Sequence, residues 1–114
     1  MTARTVDLVV ARFQEDLSWL RRVPRPVRVW IYNKGPEVVP PRPGVSTIAL
    51  PNVGREAHTY LHHLVTRYEE LADRTVFVQG RPFDHVPDLH RVLRGVADGS
   101  EPDSVFRWLG FLID

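Results

Sequence analysis

The sequence predicts one α/β domain, residues 1–114, in which a small, mainly parallel four-stranded sheet lies between helices in three layers. Two observations predict this class. Four short apolar runs rich in β-branched residues alternate with loops and segments of helical periodicity. The 114 residues, 43% hydrophobic and 25% charged, also suit a single globular domain. Right-handed crossovers between parallel strands then favour the strand order 3-2-1-4.

Three strands and one short helix are predicted in the first half of the chain. The strands are Val6–Ala11, Val27–Tyr32 and Ser46–Leu50. Between the first two, Leu17 and Leu20 indicate a short helix, which ends at Pro24 because proline cannot continue a helix. The proline-rich segment 36–44 is a loop. Its irregularity leaves the direction of the third strand open.

Two longer helices and a fourth strand are predicted in the second half. Asn52 to about Ala72 is the clearest helix, because apolar residues recur along it at helical spacing. These residues are Ala57, Leu61, Leu64, Val65, Tyr68, Leu71 and Ala72. The strand Arg74–Gln79 follows, and a last helix opens at Pro87 and ends at Gly99.

The segment after the last helix, Val105–Ile113, is strongly apolar. Phe106, Trp108 and Phe111 supply large aromatic side chains whose exposure to water is unfavourable. We therefore expect this tail to pack on the core or on a partner, and a second copy of the chain in a homodimer is one such partner.

Composition argues against several classes of function. The chain has no cysteine, which rules out disulfides, thiolate zinc sites and cysteine nucleophiles. Its net charge of +1 gives no overall field that would recruit nucleic acid or an anionic membrane. No apolar run approaches the ~20 residues of a membrane span, and the first residues lack the apolar core of a signal peptide. We expect a soluble, cytoplasmic protein.

Polar loops follow all four predicted strands. They are Arg12–Asp16, Asn33–Lys34, Asn52–Glu56 and Gln79–His85. In a mainly parallel sheet all four open at the carboxyl edge, where open α/β sheets bind their ligands. The candidate ligand-binding residues are Arg12, Asn33, Lys34, Asn52, Gly54, Arg55 and Gln79. The alternative is that these loops are polar only because loops lie at the surface.

The segment Asn52–Glu56 indicates an anion site. Gly54 at a helix start lets a ligand approach the backbone closely, and the free N–H groups there favour a negative charge. Arg55 could add a bidentate clamp on a phosphate or carboxylate. Alternatively, the segment is a capped helix start whose Arg55 and Glu56 pair with neighbouring side chains.

Five residues of these loops are candidates for catalysis. They are Glu15, Asp16, Glu56, Asp84 and His85. Glu15 and Asp16 could bind a metal ion or a sugar hydroxyl, or could merely favour the positive end of the short helix. Asp84 and His85 could supply a general base or metal ligands, although a loop histidine is also ordinary polar surface.

A pair of histidines suggests a different metal site. His58 and His62 are four residues apart on a predicted helix, as in helical metal pairs. No glutamate accompanies them in the zincin pattern, and no third ligand is obvious.

The sequence also lacks the serine-elbow, Walker and Gly-x-Gly-x-x-Gly motifs. That absence disfavours serine-elbow hydrolases and ordinary NAD-binding enzymes.

Three segments together carry a family resemblance. They are Val9–Leu20, Leu50–Leu61, and Thr75–Gly80 with Pro82–His85. With Tyr32–Gly35, they resemble an uncharacterised family catalogued as domain of unknown function 3431, from Val9 to about Asp88. The family carries no established activity that the resemblance would transfer.

The order of these parts is also distantly similar to the nucleotide-binding half of GT-A type glycosyltransferases, which are Rossmann-like. The resemblance implies an acidic loop at Glu15 and Asp16, a ligand-binding helix start at Asn52–Glu56, and a metal-binding acidic motif near Asp84. A divalent cation, Mn²⁺ or Mg²⁺, would then bind there. The sequence departs from the pattern because Asp84-His85 replaces an Asp-x-Asp motif, and because the chain ends where such enzymes build an acceptor site.

Three functional hypotheses follow. The first is a small transferase-like domain that binds a phosphorylated or sugar-like ligand at the carboxyl edge of the sheet. The second is a non-catalytic binding or interaction module of the same fold. The third is a metal-dependent hydrolase or lyase that uses His58, His62 and His85. We favour the first over the second.

Overall fold

A single parallel sheet forms the centre of the protein. The computed structural model describes residues 5–36, 42–84 and 86–100, without the side chain of Asp84. The strands are β1 (Val6–Arg12), β2 (Val27–Asn33), β3 (Val45–Ala49) and β4 (Arg74–Gln79). They form a sheet in the order β3-β2-β1-β4, and its three neighbouring pairs are all parallel. The predicted fold class and strand order are confirmed, and β3 runs parallel to the other strands.

Among the described residues, two α-helices and three short 3₁₀ segments connect or follow the strands. α1 (Arg55–Thr66) links β3 to β4, and α2 (Leu89–Asp98) follows β4. The 3₁₀ segments are Ser18–Arg22, Tyr68–Glu70 and Pro82–Asp84. Because crossovers between parallel strands are right-handed, α1 lies on one face of the sheet and Ser18–Arg22 on the other. α2 packs on the same face as Ser18–Arg22, which gives three layers.

The face of the sheet beneath α2 carries the apolar core. Successive side chains of a strand point to opposite faces, so alternate strand residues contribute to it. They include Leu8, Val10, Val29, Ile31, Val76 and Val78, which pack with Leu20, Leu89 and Leu93. Full burial of a side chain of this size contributes about 1.5–3 kcal/mol, so this layer makes a large contribution to the free energy of unfolding.

The opposite face, beneath α1, contains a buried carboxylate. Asp7 in β1 is 1% exposed, and Arg28 lies beside it in the strand register. Arg28 donates to both carboxylate oxygens, from Nε at 2.7 Å and from Nη2 at 3.1 Å. Trp30 Nε1 donates a further hydrogen bond at 3.0 Å. Because an unpaired buried charge is very costly, these bonds are what allow a carboxylate inside the sheet.

α1 meets this face through polar and aromatic side chains. Its buried residues are Thr59 and His63. The Nδ1 atom of His63 lies 2.6 Å from the hydroxyl of Tyr32, and the imidazole packs edge-on against Trp30. Burial is the main cause that lowers the pKa of His63 and raises the pKa of Tyr32. Both side chains are therefore neutral at pH 7 and share one hydrogen bond.

Most of the apolar stripe that predicted α1 does not face the sheet. The helix spans Arg55–Thr66 rather than the predicted 52–72, and only a 3₁₀ segment continues it. Leu61 is 61% exposed, and Val65 and Tyr68 are each 75% exposed. The sheet face beneath α1 presents Asp7, Trp30 and Tyr32, and the polar side of the helix is the better match for these groups.

The remaining predicted elements agree with the structure more closely. α2 ends before Gly99, which has a φ of 83°, a conformation that glycine adopts without steric cost. The short helix predicted between the first two strands is the 3₁₀ segment Ser18–Arg22. The apolar tail with Phe106, Trp108 and Phe111 lies outside the described residues. Within the described ranges, no helix has the length and apolar character needed to cross a membrane.

The buried imidazole of His63 makes a pH dependence expected. Because its pKa is lowered on folding, the unfolded chain binds a proton there more readily than the folded protein does. Its contribution to the free energy of unfolding is complete above the ordinary histidine pKa of 6.5 and is lost as the pH falls below that value. We expect the natural protein to lose more free energy of unfolding than the His63→Gln protein when the pH falls from about 8 to about 5.5. The amide oxygen of the glutamine can still accept a hydrogen bond from Tyr32. Urea unfolding of both proteins at the two pH values measures this difference.

Burial also lowers the pKa of His90, so some loss of stability with acid should remain in the His63→Gln protein. Equal acid-induced losses in the two proteins would contradict the role assigned to His63.

Candidate functional site

The carboxyl ends of the four strands meet at one edge of the sheet, which we call the carboxyl edge. The register pairs Arg12 at the end of β1 with Asn33 at the end of β2. It also pairs Ala11 with Gln79 at the end of β4. The loops that follow these strands therefore open side by side, as the parallel sheet requires.

Arg12 and Asn33 join the loops after β1 and β2. Both are nearly buried, at 8% and 7% exposure. Arg12 donates from Nη1 to Asn33 Oδ1 at 3.1 Å and from Nε to the carbonyl oxygen of Glu15 at 2.9 Å. The same Oδ1 of Asn33 accepts from the backbone N–H of Gly35 at 3.1 Å. Arg12 thus organises both loops and brings a positive charge to the carboxyl edge.

The two acids after β1 point to different places. The carboxylate of Glu15 folds back onto its own loop, where it accepts from the backbone N–H groups of Phe13 and Gln14 at 3.2 and 2.7 Å. Asp16 is exposed and accepts from the backbone N–H and hydroxyl of Ser18, at 2.9 and 3.1 Å. These bonds lower the pKa of Asp16. Asp16 therefore faces the 3₁₀ segment, while Glu15 lies at the carboxyl edge.

Two glycines allow the loops to approach one another. A Cβ atom at Gly35 would lie 1.6 Å from the carbonyl oxygen of Phe13, and a Cβ at Gly80 would lie 2.4 Å from Oε1 of Glu15. Gly80 also accepts a hydrogen bond on its carbonyl oxygen from Trp19 Nε1 at 2.9 Å. Only glycine therefore fits at position 35, where the β1 loop touches the β2 loop, whereas a side chain at position 80 would displace the carboxylate of Glu15.

Lys34 connects the β2 loop to the start of α1. Its Nζ donates to the carbonyl oxygens of Val53 and Arg55, at 2.6 and 2.7 Å. Burial is the main cause that lowers the pKa of Lys34, and the charge of Glu56 opposes the shift. The ammonium group thus lies against the backbone at the start of α1.

The start of α1 has an unusual backbone. Gly54 and Arg55 are both left-handed, with φ of 69° and 50°, and for arginine this costs roughly 1 kcal/mol or more. A Cβ at Gly54 would also lie 2.5 Å from Cβ of His58. A left-handed residue before a right-handed helix turns successive N–H groups toward one point, an arrangement that binds anions. The side chains of Arg55 and Asn52 are exposed beside it.

The other candidate residues border this group. Glu56 is half-buried in the first turn of α1, and Gln79 is half-buried at the end of β4. Asp84 closes the 3₁₀ segment Pro82–Asp84, but its side chain and the whole of His85 lie outside the described residues. The catalytic and metal-binding roles predicted for Asp84 and His85 therefore stay predictions.

The histidine pair lies along α1. The rings of His58 and His62 have centroids 6.3 Å apart, and the ring of His62 packs against Tyr32 at 5.7 Å. Within the described ranges, no three side chains of histidine, aspartate or glutamate gather as a metal-binding group.

The structure brings Arg12, Glu15, Asn33 and Lys34 to the carboxyl edge, and it leaves Asp16 turned toward the 3₁₀ segment Ser18–Arg22.

Three features of the structure were not predicted from the sequence. They are the close contacts at Gly35 and Gly80 and the buried pair of Asp7 and Arg28. A glycine one or two residues after a strand was the available signal for the first two. For the third it was a lone aspartate within the apolar run Val6–Ala11, since a charge inside a buried strand requires a partner.

Comparison with known proteins places the chain in a family. The family described as Protein of unknown function (DUF3431) matches residues 8–92, well over half of the chain. The chain belongs to this family. The matched region includes α1 and nearly all of the four strands, and therefore the whole carboxyl edge. No curated protein and no solved structure matches the chain.

The contact at Gly35 can be tested by substitution. In Gly35→Ala the new methyl group would displace the backbone of Phe13 and separate the loops after β1 and β2, so we expect a loss of about 3 kcal/mol in the free energy of unfolding. Urea unfolding measures it. Gly44→Ala is the matched control, because no atom lies within 4 Å of its Cβ position. Its positive φ of 75° should cost only about 1 kcal/mol. A Gly35→Ala protein at least as stable as Gly44→Ala would contradict the close packing of these loops.

Proposed function

We propose that the domain binds a phosphorylated or sugar-like ligand at the carboxyl edge, as a small transferase-like domain similar to the nucleotide-binding half of GT-A glycosyltransferases. One observation carries this proposal. Arg12, Glu15 and Asn33 are joined by direct hydrogen bonds at the carboxyl edge, and Lys34 joins them to the start of α1. Ligands of open α/β sheets bind at this edge.

The start of α1 is suited to the phosphate of such a ligand. The left-handed backbone at Arg55 directs successive N–H groups outward, and the helix dipole places a partial positive charge at the same point. The exposed guanidinium of Arg55 can reach a phosphate there with two parallel hydrogen bonds. A strained arginine at this position is retained at a cost in stability, which a role in binding would explain.

Glu15 is suited to the sugar-like part of the ligand. Its carboxylate lies against Gly80, at the opposite side of the carboxyl edge from Arg55, and can accept a hydrogen bond from a hydroxyl group. The ring of Phe13, 42% exposed, offers an apolar face to a sugar or base. In this proposal Glu56, Asp84 and His85 border the reacting end, and Asp16 supports the loop through Ser18.

A divalent cation fits the described residues poorly. Glu15 is the carboxylate nearest the centre of the carboxyl edge, and it is held by backbone N–H groups. Within the described part of the chain, Glu15 belongs to no group of three or more histidine, aspartate or glutamate side chains that could hold a metal ion. We therefore assign no step of the function to a metal ion.

A binding module without turnover is the second candidate. One observation favours it: the charged groups of Glu15, Asp16 and Lys34 all hydrogen-bond to the protein's own backbone. Groups held in this way organise loops and are less available as general acids or bases. Ligand binding with no hydrolysis or transfer of a nucleotide-sugar would favour this candidate over the enzyme.

Ligand binding can be measured by thermal unfolding. A ligand of the folded state raises the melting temperature, and at ten times its Kd we expect a rise of about 5 °C in a domain of this size. The panel contains nucleoside diphosphates, nucleotide-sugars and sugar phosphates, each with and without Mn²⁺ or Mg²⁺. We expect Arg55→Ala to remove most of the rise.

Arg25→Ala is the matched control, since Arg25 is an exposed arginine just before β2, at the opposite edge of the sheet. It should leave the rise unchanged. No rise with any member of the panel would refute the proposed function, and a rise that survives Arg55→Ala would place the ligand elsewhere.

A further inference from the structure

The outward side of α1 exposes a continuous apolar stripe. Leu61 and Val65 are four residues apart and so lie on one side of α1, Tyr68 opens the 3₁₀ segment that follows, and Leu71 comes directly after that segment. They are 61%, 75%, 75% and 36% exposed. We call these four residues the outer stripe. An exposed apolar patch of this kind ordinarily marks an interaction site.

The size of the outer stripe favours a short segment as its occupant. Four side chains expose on the order of a few hundred Å², whereas a standard interface between two proteins buries roughly 800 Å² on each partner. A second copy of the chain would need further apolar surface around the stripe. Its neighbours Arg67, Glu69 and Glu70 are instead charged. A single apolar peptide segment matches the stripe in both width and character.

The chain itself contains such a segment. Residues 105–113 include six large apolar side chains, Phe106, Trp108, Leu109, Phe111, Leu112 and Ile113. These residues follow α2 and lie outside the described part of the chain. They are the most apolar stretch whose position the described structure does not account for.

The topology brings the start of this segment close to the outer stripe. α1 runs from the carboxyl end of β3 to the amino end of β4, so Tyr68 and Leu71 lie at the amino edge of the sheet. α2 follows the carboxyl end of β4 and packs on the sheet through Leu89 and Leu93, which returns the chain toward the same edge at Ser100. Both helices are thus connected to β4, an edge strand with no neighbour beyond it among the described strands.

The segment is long enough to make the connection. To reach the outer side of α1, the chain must cross the thickness of the domain. This thickness consists of three layers, α2, the sheet and α1, of about 10 Å each. An extended chain covers about 3.3 Å per residue, so the stretch from Ser100 to Phe111 spans roughly 35 Å. Phe111 and its neighbours can therefore reach the outer stripe.

We propose that residues 105–113 pack on the outer stripe of α1 in the same molecule. The tail then covers Leu61, Val65 and Tyr68, and it passes round β4 to join the two outer layers of the domain. This inference concerns a surface remote from the carboxyl edge and does not depend on the proposed ligand.

Engineered cysteine pairs test the proposal directly, because the natural chain contains no cysteine. A disulfide requires Cα atoms within about 7 Å. We expect the pair Val65→Cys with Phe111→Cys, or Val65→Cys with Trp108→Cys, to form a disulfide within one chain under mild oxidation. Non-reducing electrophoresis and mass spectrometry of peptides measure it. The matched control pairs Phe111→Cys with Val53→Cys, since Val53 is also exposed, at 54%, but precedes the opposite end of α1.

At least fivefold faster intramolecular cross-linking at Val65 than at Val53 is the expected result. Equal rates at the two positions would overturn the proposal, and so would cross-links that join two chains, which would identify a second copy as the occupant. Melting temperatures give an independent measurement. The changes caused by Val65→Ala and Phe111→Ala should not be additive, because contacting residues couple, and additive changes would also overturn the proposal.

Discussion

The arrangement of the whole domain depends on β1. This strand pairs in parallel with β2 through seven residue pairs and with β4 through six, and it is buried along its entire length. Because both neighbours take their direction from β1, the loops that follow the strands come to the same edge. Reversal of either pairing would carry one loop to the far end of the molecule. The meeting of Arg12, Glu15 and Asn33 is thus a consequence of strand direction.

Different interactions stabilise the two faces of the sheet. The face beneath α2 is held by apolar contacts, which are strong but tolerate a change of partner. The face beneath α1 contains Asp7, whose carboxylate requires both Arg28 and Trp30. A shift of β2 by one residue would place Arg28 on the other face and leave Asp7 unpaired. The polar face therefore fixes the register, and the apolar face supplies more of the stability.

The sequence predicted the sheet well because its strands are short apolar runs, three of them next to a glycine or proline, and because right-handed crossovers leave few strand orders. It also predicted α1, but with an earlier start and a later end than the helix has, Arg55–Thr66, and periodicity identifies an apolar side of a helix without saying what covers it. The contacts at Gly35 and Gly80 depend on how loops from different strands meet. A glycine just after a strand indicates a close approach of backbone, but it does not indicate which distant loop makes the contact.

The loop after β1 already contains a negative charge, since the carboxylate of Glu15 occupies the N–H groups of Phe13 and Gln14. A second anion at that position would be repelled, whereas the backbone around Arg55 attracts one. The carboxyl edge is therefore electrically polarised along its length. In the proposed function, a ligand with one anionic end and one neutral end would therefore bind at this edge in a single orientation.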